Sequence, residues 1–449
     1  MESGIETKSY DFVPIEERHG EPRQLFFLWF GENAQIYALV TGAIAITTGL
    51  NFWWAIVAIL VGNLFGAFLM ALHSAQGPRL GLPQMIQSRA QFGYYGSILP
   101  LFLVWVMYIA FAAIDIVLAG QGVNTVFKLN LNWSMVLVTI PMILIAIYGY
   151  DWIHLFLRYS TWAFVAFFAF LTVLVCVHGV PLKLLNTGGF TMGNFLLSVS
   201  VIATWQISYA PYVSDYSRYF HPSKANQTFW ETYWGTNIST ILLMILGAAI
   251  CCLAPQSQTM DEIHVLGGPI LGAIMCIILC FGLFAPNSTN VYGGAITALS
   301  IANNFIKFRS TAALRFVICV IIGALGVLLA TVGSGNFMNN LENYMVVCLY
   351  FLIPWTSINL TDFYLVHHGS YTTDDFFTSN GPFGRYRWSS IAVFFIGFII
   401  EIPFMNTTVY QGPISKAMGG ADIAWIVGLL TIPIYYLIEK RNIAKSKAA

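Results

Sequence analysis

Long apolar runs separated by short polar stretches follow one another along most of the chain. An α-helix rises about 1.5 Å per residue, so a run of about 20 apolar residues covers the hydrocarbon core of a bilayer. Each run is therefore predicted to be a transmembrane helix, numbered here in chain order. The twelve predicted spans are 25–50, 52–75, 97–121, 133–150, 158–180, 192–214, 232–254, 267–303, 311–332, 342–366, 387–406 and 422–438.

The eighth run, 267–303, is longer than one span needs and contains Pro286. We interpret it as one long kinked helix, because an even number of spans places both termini on the same side. On that side fall all but three of the 20 Lys and Arg residues, the exceptions being Lys128, Lys183 and Lys416. The positive-inside rule then predicts that both termini are cytoplasmic. Two spans in place of the eighth helix would remove this asymmetry.

Composition agrees with a multi-pass protein of the cytoplasmic or plasma membrane. Hydrophobic residues make up 57% of the chain and charged residues 9%, against about a quarter charged in soluble domains. The zero net charge argues against a nucleic-acid partner. The seven cysteines lie in apolar segments without metal-ligand spacing, which is typical of small core residues. The first 23 residues are polar and charged, so no cleavable signal peptide is expected.

Polar residues interrupt the first span near its centre, between Leu28 and Tyr37. A helix that faces lipid would hold Leu, Ile or Val at the depth of Glu32, Asn33 and Gln35. A carboxylate and two carboxamides are costly there, so these side chains must face protein, water or a ligand. Two interpretations remain open for this stretch: a hydrogen bond between helices inside the bundle, or a transport site.

The sixth span contains a second interruption. Trp205, Gln206, Ser208 and Tyr209 cluster just before Pro211. Proline lacks a backbone donor and clashes with the preceding turn, so a break or kink is predicted there. Backbone groups freed at membrane depth are tolerated only beside a cavity. Because the two interrupted helices lie five spans apart, the pattern predicts a five-plus-five inverted repeat with substrate and coupling ion between the repeats.

This repeat divides the chain into five predicted parts. The first is a cytoplasmic N-terminal tail, 1–24. Helices 1–5 form the first repeat, 25–180, and helices 6–10 form the second, 192–366. Helices 11 and 12 follow at 387–438, and residues 439–449 form a cytoplasmic tail. The predicted fold class is an all-α membrane protein with discontinuous helices 1 and 6.

Helices 3 and 8 occupy equivalent places in the two predicted repeats and also carry polar residues. Trp105 lies near the middle of helix 3, and Asp115 follows about three turns later. Helix 8 has paired hydroxyls at Ser288 and Thr289. Hard oxygen ligands suit an alkali cation, and the carbonyls of a broken helix would complete the set. Taken alone, each feature has an ordinary explanation. Trp105 can be a packing residue, and the hydroxyls can donate to carbonyls of their own helix. Because helices 1 and 6 are also predicted to be broken, the functional interpretation is favoured for both.

Several motifs resemble those of one transporter family. The chain is similar to nucleobase:cation symporter family one, the cytosine, purine, uracil, allantoin and hydantoin permeases, from about Val13 to the end of helix 12. The resemblance implies the leucine-transporter fold and a nucleobase-like substrate. It rests on five stretches: Phe27–Phe30, Pro78–Pro83, Ser88–Gly93, Asp215–Tyr219 and Thr361–Tyr364.

The resemblance also implies a set of site residues. The stacking tryptophan of helix 3 would be Trp105, and the helix-6 aromatic would fall at Trp205 or Gln206. Gln35 would face the substrate. The remaining substrate contacts are assigned to Ser208 and Asn290. The sodium ligands, where a member binds sodium, would be the carbonyls of Phe30, Asn33 and Ala285 and the hydroxyls of Ser288 and Thr289.

Two departures from the family pattern leave the substrate open. The hydantoin branch has a glutamine one turn after the helix-3 tryptophan, where this chain has Ile109. Several members have an asparagine on helix 8 where this chain has Gly294. The predicted function is import of a planar nitrogen heterocycle, stacked between Trp105 and an aromatic residue of helix 6, taken as Trp205, by alternating access. Na⁺ or H⁺ would be the coupling ion, with Glu32 as the residue that carries a proton, and no other cofactor is expected. The alternative is a permease for another nitrogenous compound, such as allantoin, hydantoin or a vitamin.

Two other classes of protein are weighed against transport. A membrane enzyme would need a cluster of ligands or a nucleophile at depth, and the sequence shows none; Glu401, beside Pro403, is interpreted as an end-of-span or packing carboxylate. A channel would carry a repeated filter sequence, which is also absent, and it would have no need of two broken helices. The polar stretch 367–386 is interpreted as a solvated linker and not as a metal site.

Overall fold

The computed structural model of the chain describes residues 12–148, 150–254, 258–305 and 312–448. Within these ranges the regular structure is helical, apart from two isolated β-bridges. This result agrees with the predicted all-α class. The α-helices are α1 Arg23–Asn33, α2 Ile36–Thr47, α3 Phe52–Ser74, α4 Gln76–Leu80, α5 Gln84–Phe92, α6 Ile98–Phe127, α7 Leu131–Tyr148, α8 Tyr150–His178, α9 Leu182–Leu185, α10 Met192–Ile207, α11 Val213–Ser217, α12 Ala225–Leu253, α13 Thr259–Gly282, α14 Phe284–Asn303, α15 Ala312–Gly333, α16 Phe337–Leu360, α17 Trp388–Glu401, α18 Pro413–Ala417, α19 Ala424–Gly428 and α20 Thr431–Ala448.

Helices of membrane-spanning length and composition are present, although not all predicted spans reach that length as single helices. Five helical stretches of the described chain are long and apolar enough to cross a bilayer: Phe52–Leu80, Ile98–Phe127, Pro222–Leu253, Thr259–Ala302 and Ala313–Val366. Five shorter apolar helices accompany them: Ile36–Thr47, Leu131–Ile147, Trp162–His178, Met192–Ile207 and Trp388–Phe404. The count of twelve spans and the inverted repeat stay predictions.

The first predicted span is broken at its polar stretch. α1 ends at Asn33, Ala34 has ψ 62°, and Gln35 is extended with φ −140° and ψ 161° before α2 begins. The amide of Gln35 donates to the carbonyl of Asn33 at 2.9 Å in place of a helical partner. The predicted interruption of helix 1 is therefore present in the structure.

The sixth predicted span is broken in the same way. α10 ends at Ile207, turns occupy residues 208–212, and Tyr212 has φ −139° before α11 begins at Val213. Pro211 lies in this non-helical segment, where it has no N–H to continue the ladder. Both interruptions that the sequence predicts are therefore real breaks in the backbone.

Two of the predicted boundaries need correction. Helix 8 is long and kinked as predicted, but the break lies at Leu283, three residues before Pro286. A sharp turn at Gly268, with φ 70°, also separates residues 259–267 from the rest of α13. The predicted polar connection at 151–157 is wrong, because α8 is helical from Tyr150 onward.

The loop 367–386 is largely accessible to solvent, as predicted, but it also carries an aromatic anchor. Phe376 is 1% exposed, and Tyr371 and Phe383 pack around it. These rings cover Leu82, which lies between α4 and α5, and Ile86 of α5. The sequence did not indicate this anchor, because the aromatic residues of the loop are spaced irregularly and form a small core only when other segments lie beneath them.

Glycines bring the first broken helix close to its neighbour. A Cβ added to Gly42 of α2 would lie 2.0 Å from the carbonyl oxygen of Met244 on α12. A Cβ added to Gly247 of α12 would lie 2.0 Å from the carbonyl oxygen of Leu39 on α2. Small residues at membrane helix interfaces allow such close backbone approach. The contact fixes α2, and with it the break in the first span.

Candidate functional site

A cavity of about 550 Å³, its opening included, lies where the two helix breaks face α6 and α14. Seven of its fourteen lining residues are aromatic and two are carboxylic acids. The lining residues are Trp29, Glu32, Gln35, Tyr37, Phe111, Asp115, Trp205, Ser208, Tyr209, Tyr212, Tyr216, Pro286, Thr289 and Asn290. A flat, partly polar solute would find both ring faces and hydrogen-bonding groups here.

The carboxyl groups of Glu32 and Asp115 come to this cavity from different helices. Asp115 accepts a hydrogen bond from the side-chain amide of Asn290 at 3.1 Å. The Glu32 carboxylate has no hydrogen-bond partner among the described residues. No Lys, Arg or His is among the described residues that line the cavity. The polar part of the site is therefore rich in hydrogen-bond acceptors.

Asn33 resolves the two interpretations left open for the first span. Its side-chain amide donates to the carbonyl of Trp29 and to the hydroxyl of Thr236 on α12 at 3.0 Å. Its side-chain oxygen accepts from the indole N–H of Trp205. Asn33 thus supplies the hydrogen bond between helices, whereas Glu32 and Gln35 face the cavity. The hydrogen bond between helices is therefore confirmed for Asn33, and the transport site stays a prediction for Glu32 and Gln35.

Aromatic rings form a continuous wall on one side of the cavity. The ring of Tyr37 meets Trp205 edge to face, with centroids 4.5 Å apart, and lies 6.0 Å from Phe111. The rings of Trp205 and Tyr209 are 6.2 Å apart. Buried edge-to-face pairs of this kind hold rings in fixed orientations. The wall is therefore a rigid surface for a planar solute.

The structure brings four of the predicted substrate residues to the cavity: Gln35, Trp205, Ser208 and Asn290. Gln206 lies elsewhere. Its amide nitrogen donates to Asn63 at 2.9 Å and to Thr240 at 2.8 Å, so the side chain joins α10 to α3 and α12.

Trp105 does not reach the cavity either. It packs against a separate apolar cluster that includes Ile109, Val291 and Ile322. The face of α6 that lines the cavity carries Phe111 and Asp115. Six residues rotate a helix position by about 240°, so Trp105 and Phe111 point in different directions. The aromatic and the polar residue of α6 that face the cavity, Phe111 and Asp115, therefore lie six residues after Trp105 and Ile109, the positions that the resemblance suggested.

Sequence reasoning did not consider Phe111, and it noted Asp115 as a polar residue of helix 3 without assigning it to the site. Asp115 is the only ionisable side chain within the third apolar run, 97–121, other than Tyr108. Carboxylates inside a membrane span usually face a cavity or a partner. An aromatic residue one turn before such a carboxylate is the sequence signal that could have identified the face of the helix that lines the cavity.

Several of the predicted sodium ligands form hydrogen bonds within the chain. The Ser288 hydroxyl donates to the carbonyl of Met142 on α7 at 2.9 Å and to that of Phe284. Thr289 lines the cavity, and its hydroxyl donates to the carbonyl of Ala285 at 3.1 Å. The carbonyl of Asn33 accepts from Gln35, and the ring of Phe30 packs on Phe26. The five-residue sodium set stays a prediction.

Two broken helices around a buried polar and aromatic cavity define a class of membrane protein. Broken helices expose polar backbone groups at mid-membrane, where these groups can contact a solute. Secondary transporters bind their substrates in this way. Cytosine, purine, uracil, thiamine and allantoin permeases are described by one family model, which matches residues 12–428 of this chain. The chain belongs to this family, nucleobase:cation symporter family one. It is a permease and an integral multi-pass membrane protein, not an enzyme.

Relatives with known names support this assignment. The putative purine-cytosine permease YxlA of Bacillus subtilis is 41% identical over 447 residues, which cover 98% of this chain and 97% of YxlA. The purine-cytosine permease FCY21 of Saccharomyces cerevisiae is 25% identical, over 98% of this chain and 87% of its own length. The similarity therefore extends over almost the whole permease in both cases.

Solved structures of Mhp1 have the same fold. Its inward-facing conformation gives a TM-score of 0.79 at 17% identity and covers 99% of this chain and 96% of Mhp1. Mhp1 in a closed conformation, with bromovinylhydantoin bound, gives a TM-score of 0.77 at 17% identity. The match covers 99% of this chain and 97% of Mhp1. The described helices thus follow the course of a nucleobase-cation-symport-1 transporter.

Proposed function

We propose that the protein imports an amino-substituted nucleobase, such as cytosine or a purine, by alternating access with a cation. The observation that carries this proposal is the composition of the cavity: stacking rings beside Glu32 and Asp115, with no basic residue among its described lining. Base–aromatic stacking contributes about 1–3 kcal/mol and discriminates poorly between bases. The polar groups must therefore supply the specificity.

Asp115 is suited to recognise an exocyclic amino group. Carboxylates accept hydrogen bonds from the amino group of cytosine in other recognition sites. One oxygen of Asp115 is engaged by Asn290, which fixes the orientation of the carboxylate. A base that offers only carbonyl oxygen at the same place would leave the carboxylate unpaired, which is unfavourable in a buried site. Amino-bearing bases are accordingly the proposed substrates.

A proton is the proposed coupling ion. Two carboxyl groups facing one buried cavity are unfavourable when both are charged, so one of them readily takes up a proton. The Ser288 and Thr289 hydroxyls, by contrast, donate to carbonyls of different segments. Sodium is the second possibility, supported by the position of Thr289 on the cavity wall.

Uptake into proteoliposomes that contain the purified permease tests both parts of the proposal. We expect cytosine, adenine or guanine to accumulate when the outside is acidic and sodium is absent, and to compete better than uracil or allantoin. Uptake driven only by a sodium gradient would refute proton coupling. Preferential uptake of allantoin, a hydantoin or a vitamin would support the alternative substrate class.

The variant Asp115→Asn tests the role of the carboxylate. Loss of a hydrogen bond to a charged acceptor costs about 1.5–3 kcal/mol, so the KM for the amino-bearing base should rise about 10- to 100-fold. The variant Trp105→Phe, on the face of α6 that points away from the cavity, controls for general damage to α6. An unchanged KM in Asp115→Asn would show that this carboxylate does not bind the base.

A further inference from the structure

Glu401 is a buried acid that the transport cavity does not use. It ends α17, its side chain is 0% exposed, and neither carboxyl oxygen has a hydrogen-bond partner among the described residues. Its carboxyl group lies directly against Gly428 of α19, where an added Cβ would be 1.8 Å from the Oε1 atom. An isolated carboxylate in such a place is strongly unfavourable, whereas the neutral acid is tolerated.

The surface against which Glu401 packs is an interruption in the last apolar segment. α19 ends at Gly428, and α20 begins at Thr431, two residues before Pro433. The hydroxyl of Thr431 is also buried without a partner, and it would lie 2.4 Å from a Cβ added to Gly397. Gly397 is one helical turn before Glu401. Two buried, unpartnered polar groups therefore lie along one contact between α17 and the interrupted helix.

The neighbouring acid, Asp422, is in the opposite situation. It is also buried, but it accepts hydrogen bonds from the hydroxyl of Tyr350 and from the backbone amides of Asn406 and Ala424 at 3.0 and 3.1 Å. These donors stabilise a negative charge on Asp422. A nearby negative charge disfavours a second one on Glu401. Asp422 and Tyr350 are the ionisable groups that face this contact from α16 and from the segment before α19, and no Lys or Arg in the described part of the chain pairs with Glu401.

We propose that Glu401 is a proton-binding site, separate from the transport cavity, at the contact of α17 with α19 and α20. The bound proton keeps the acid neutral and allows the glycine surface of the interrupted helix to pack directly on it. Loss of the proton leaves a bare charge in this contact and separates the helices. The ligand of this site is a proton and not a metal ion, because the described surroundings offer only one free carboxyl group and one free hydroxyl.

Infrared spectroscopy of the purified full-length permease in lipid tests the proposal. We expect absorption from protonated carboxyl groups at neutral pH that loses one component in Glu401→Gln, keeps the part that comes from the transport cavity, and retains the Glu401 component in the control Asp422→Asn. A band that is unchanged in Glu401→Gln overturns the proposal. A band that appears only after sodium is removed overturns it as well, because the carboxylate would then hold a sodium ion.

Thermal unfolding as a function of pH gives a second measurement, which is independent of transport activity. A proton held only in the folded state makes stability fall as the pH rises, because the unfolded chain releases that proton. Glu401→Gln keeps the size and the neutral state of the acid, so it should fold and should show a shallower fall in stability than the unmodified protein. Equal slopes for the two proteins would contradict the proposal.

Discussion

Phe111 and Trp105 show how much depends on the direction of one side chain. Both are aromatic residues of α6, yet Phe111 lines the cavity and Trp105 packs with the apolar cluster near Val291 and Ile322. Phe111 is held at its outer edge by Tyr344, with the rings perpendicular and 5.4 Å apart. Its position beside Tyr37 makes it the ring of α6 that can stack on a solute.

Replacement of Phe111 by Ala should weaken substrate binding. Stacking of a base on an aromatic ring contributes about 1–3 kcal/mol, which corresponds to a rise of about 5- to 150-fold in KM. The measurement is concentration-dependent uptake of the labelled base in membrane vesicles. Trp105→Ala serves as the matched control, and its KM should stay near that of the unmodified protein. If Trp105→Ala were the more damaging change, the assignment of the two faces of α6 would be reversed.

At the scale of elements, the first broken helix depends on a close contact with α12. Gly42 and Gly247 leave no room for a side chain against Met244 and Leu39. Asn33 and Thr236 add a hydrogen bond between the same two parts of the molecule. The short halves α1 and α2 contain 11 and 12 residues. Helices of that length are marginal alone, so packing on α12 holds them in place.

Gly247→Ala should therefore destabilise the protein. The new methyl group would meet the Leu39 carbonyl, and overpacking of a core contact costs about 1–3 kcal/mol. Thermal unfolding of the purified permease measures the effect. Gly335→Ala is the control, because nothing lies within 4 Å of a Cβ added there. Equal unfolding temperatures for the two variants would show that the contact between α2 and α12 accommodates the methyl group without loss of stability.

At the scale of the whole molecule, buried polar side chains join distant segments on the side predicted to be cytoplasmic. Gln84 donates to Gln76 at 3.2 Å, Gln76 to Asn359 at 2.9 Å, and Asn359 to Gln91 at 3.1 Å. Gln91 in turn donates to Asp362 at 2.9 Å. Buried networks with satisfied partners fix one arrangement of the elements that carry them. This network connects α4 and α5 with the end of α16.

His367 closes the same network from the polar loop. Its Nδ1 atom lies 3.2 Å from the Asp362 carboxylate, which also accepts from Tyr371 at 2.8 Å and from Tyr435 at 2.9 Å. Tyr435 is fully buried and bonded here, although its place near a span end is typical of an interfacial residue. The hydrogen bond with Asp362 raises the pKa of His367 above its ordinary value.

A raised pKa of His367 in the folded protein gives stability a defined dependence on pH. The contribution of the ion pair is fully present below the pKa of an unfolded histidine, about 6.5, and is lost as the pH rises through the higher folded value. His367→Gln should make this decline shallower, as measured by thermal unfolding across neutral pH. His368→Gln is the control, because the adjacent His368 is exposed. An equal decline in His367→Gln and in the unmodified protein would show that His367 does not contribute to it.

The sequence by itself determined the class of protein, the helical fold and the two places where the helices break. Lipid accepts only long apolar helices, so their runs are visible in the sequence, and polar residues at membrane depth are too costly to be accidental. Pro211 and the stretch from Glu32 to Gln35 therefore marked both breaks. The sequence motifs also identified the family.

Only the tertiary structure decided which side chains meet the solute. Each residue turns a helix by about 100°, so the face of α6 that lines the cavity depends on how α14 and α15 pack against it. Gln206 faces Asn63 and Thr240 because α3 and α12 lie beside it. The same holds for Phe376, whose burial needs Leu82 and the neighbouring helix α5. Rotation of a helix and docking of a loop are set by neighbours that are distant in sequence, which no local pattern records.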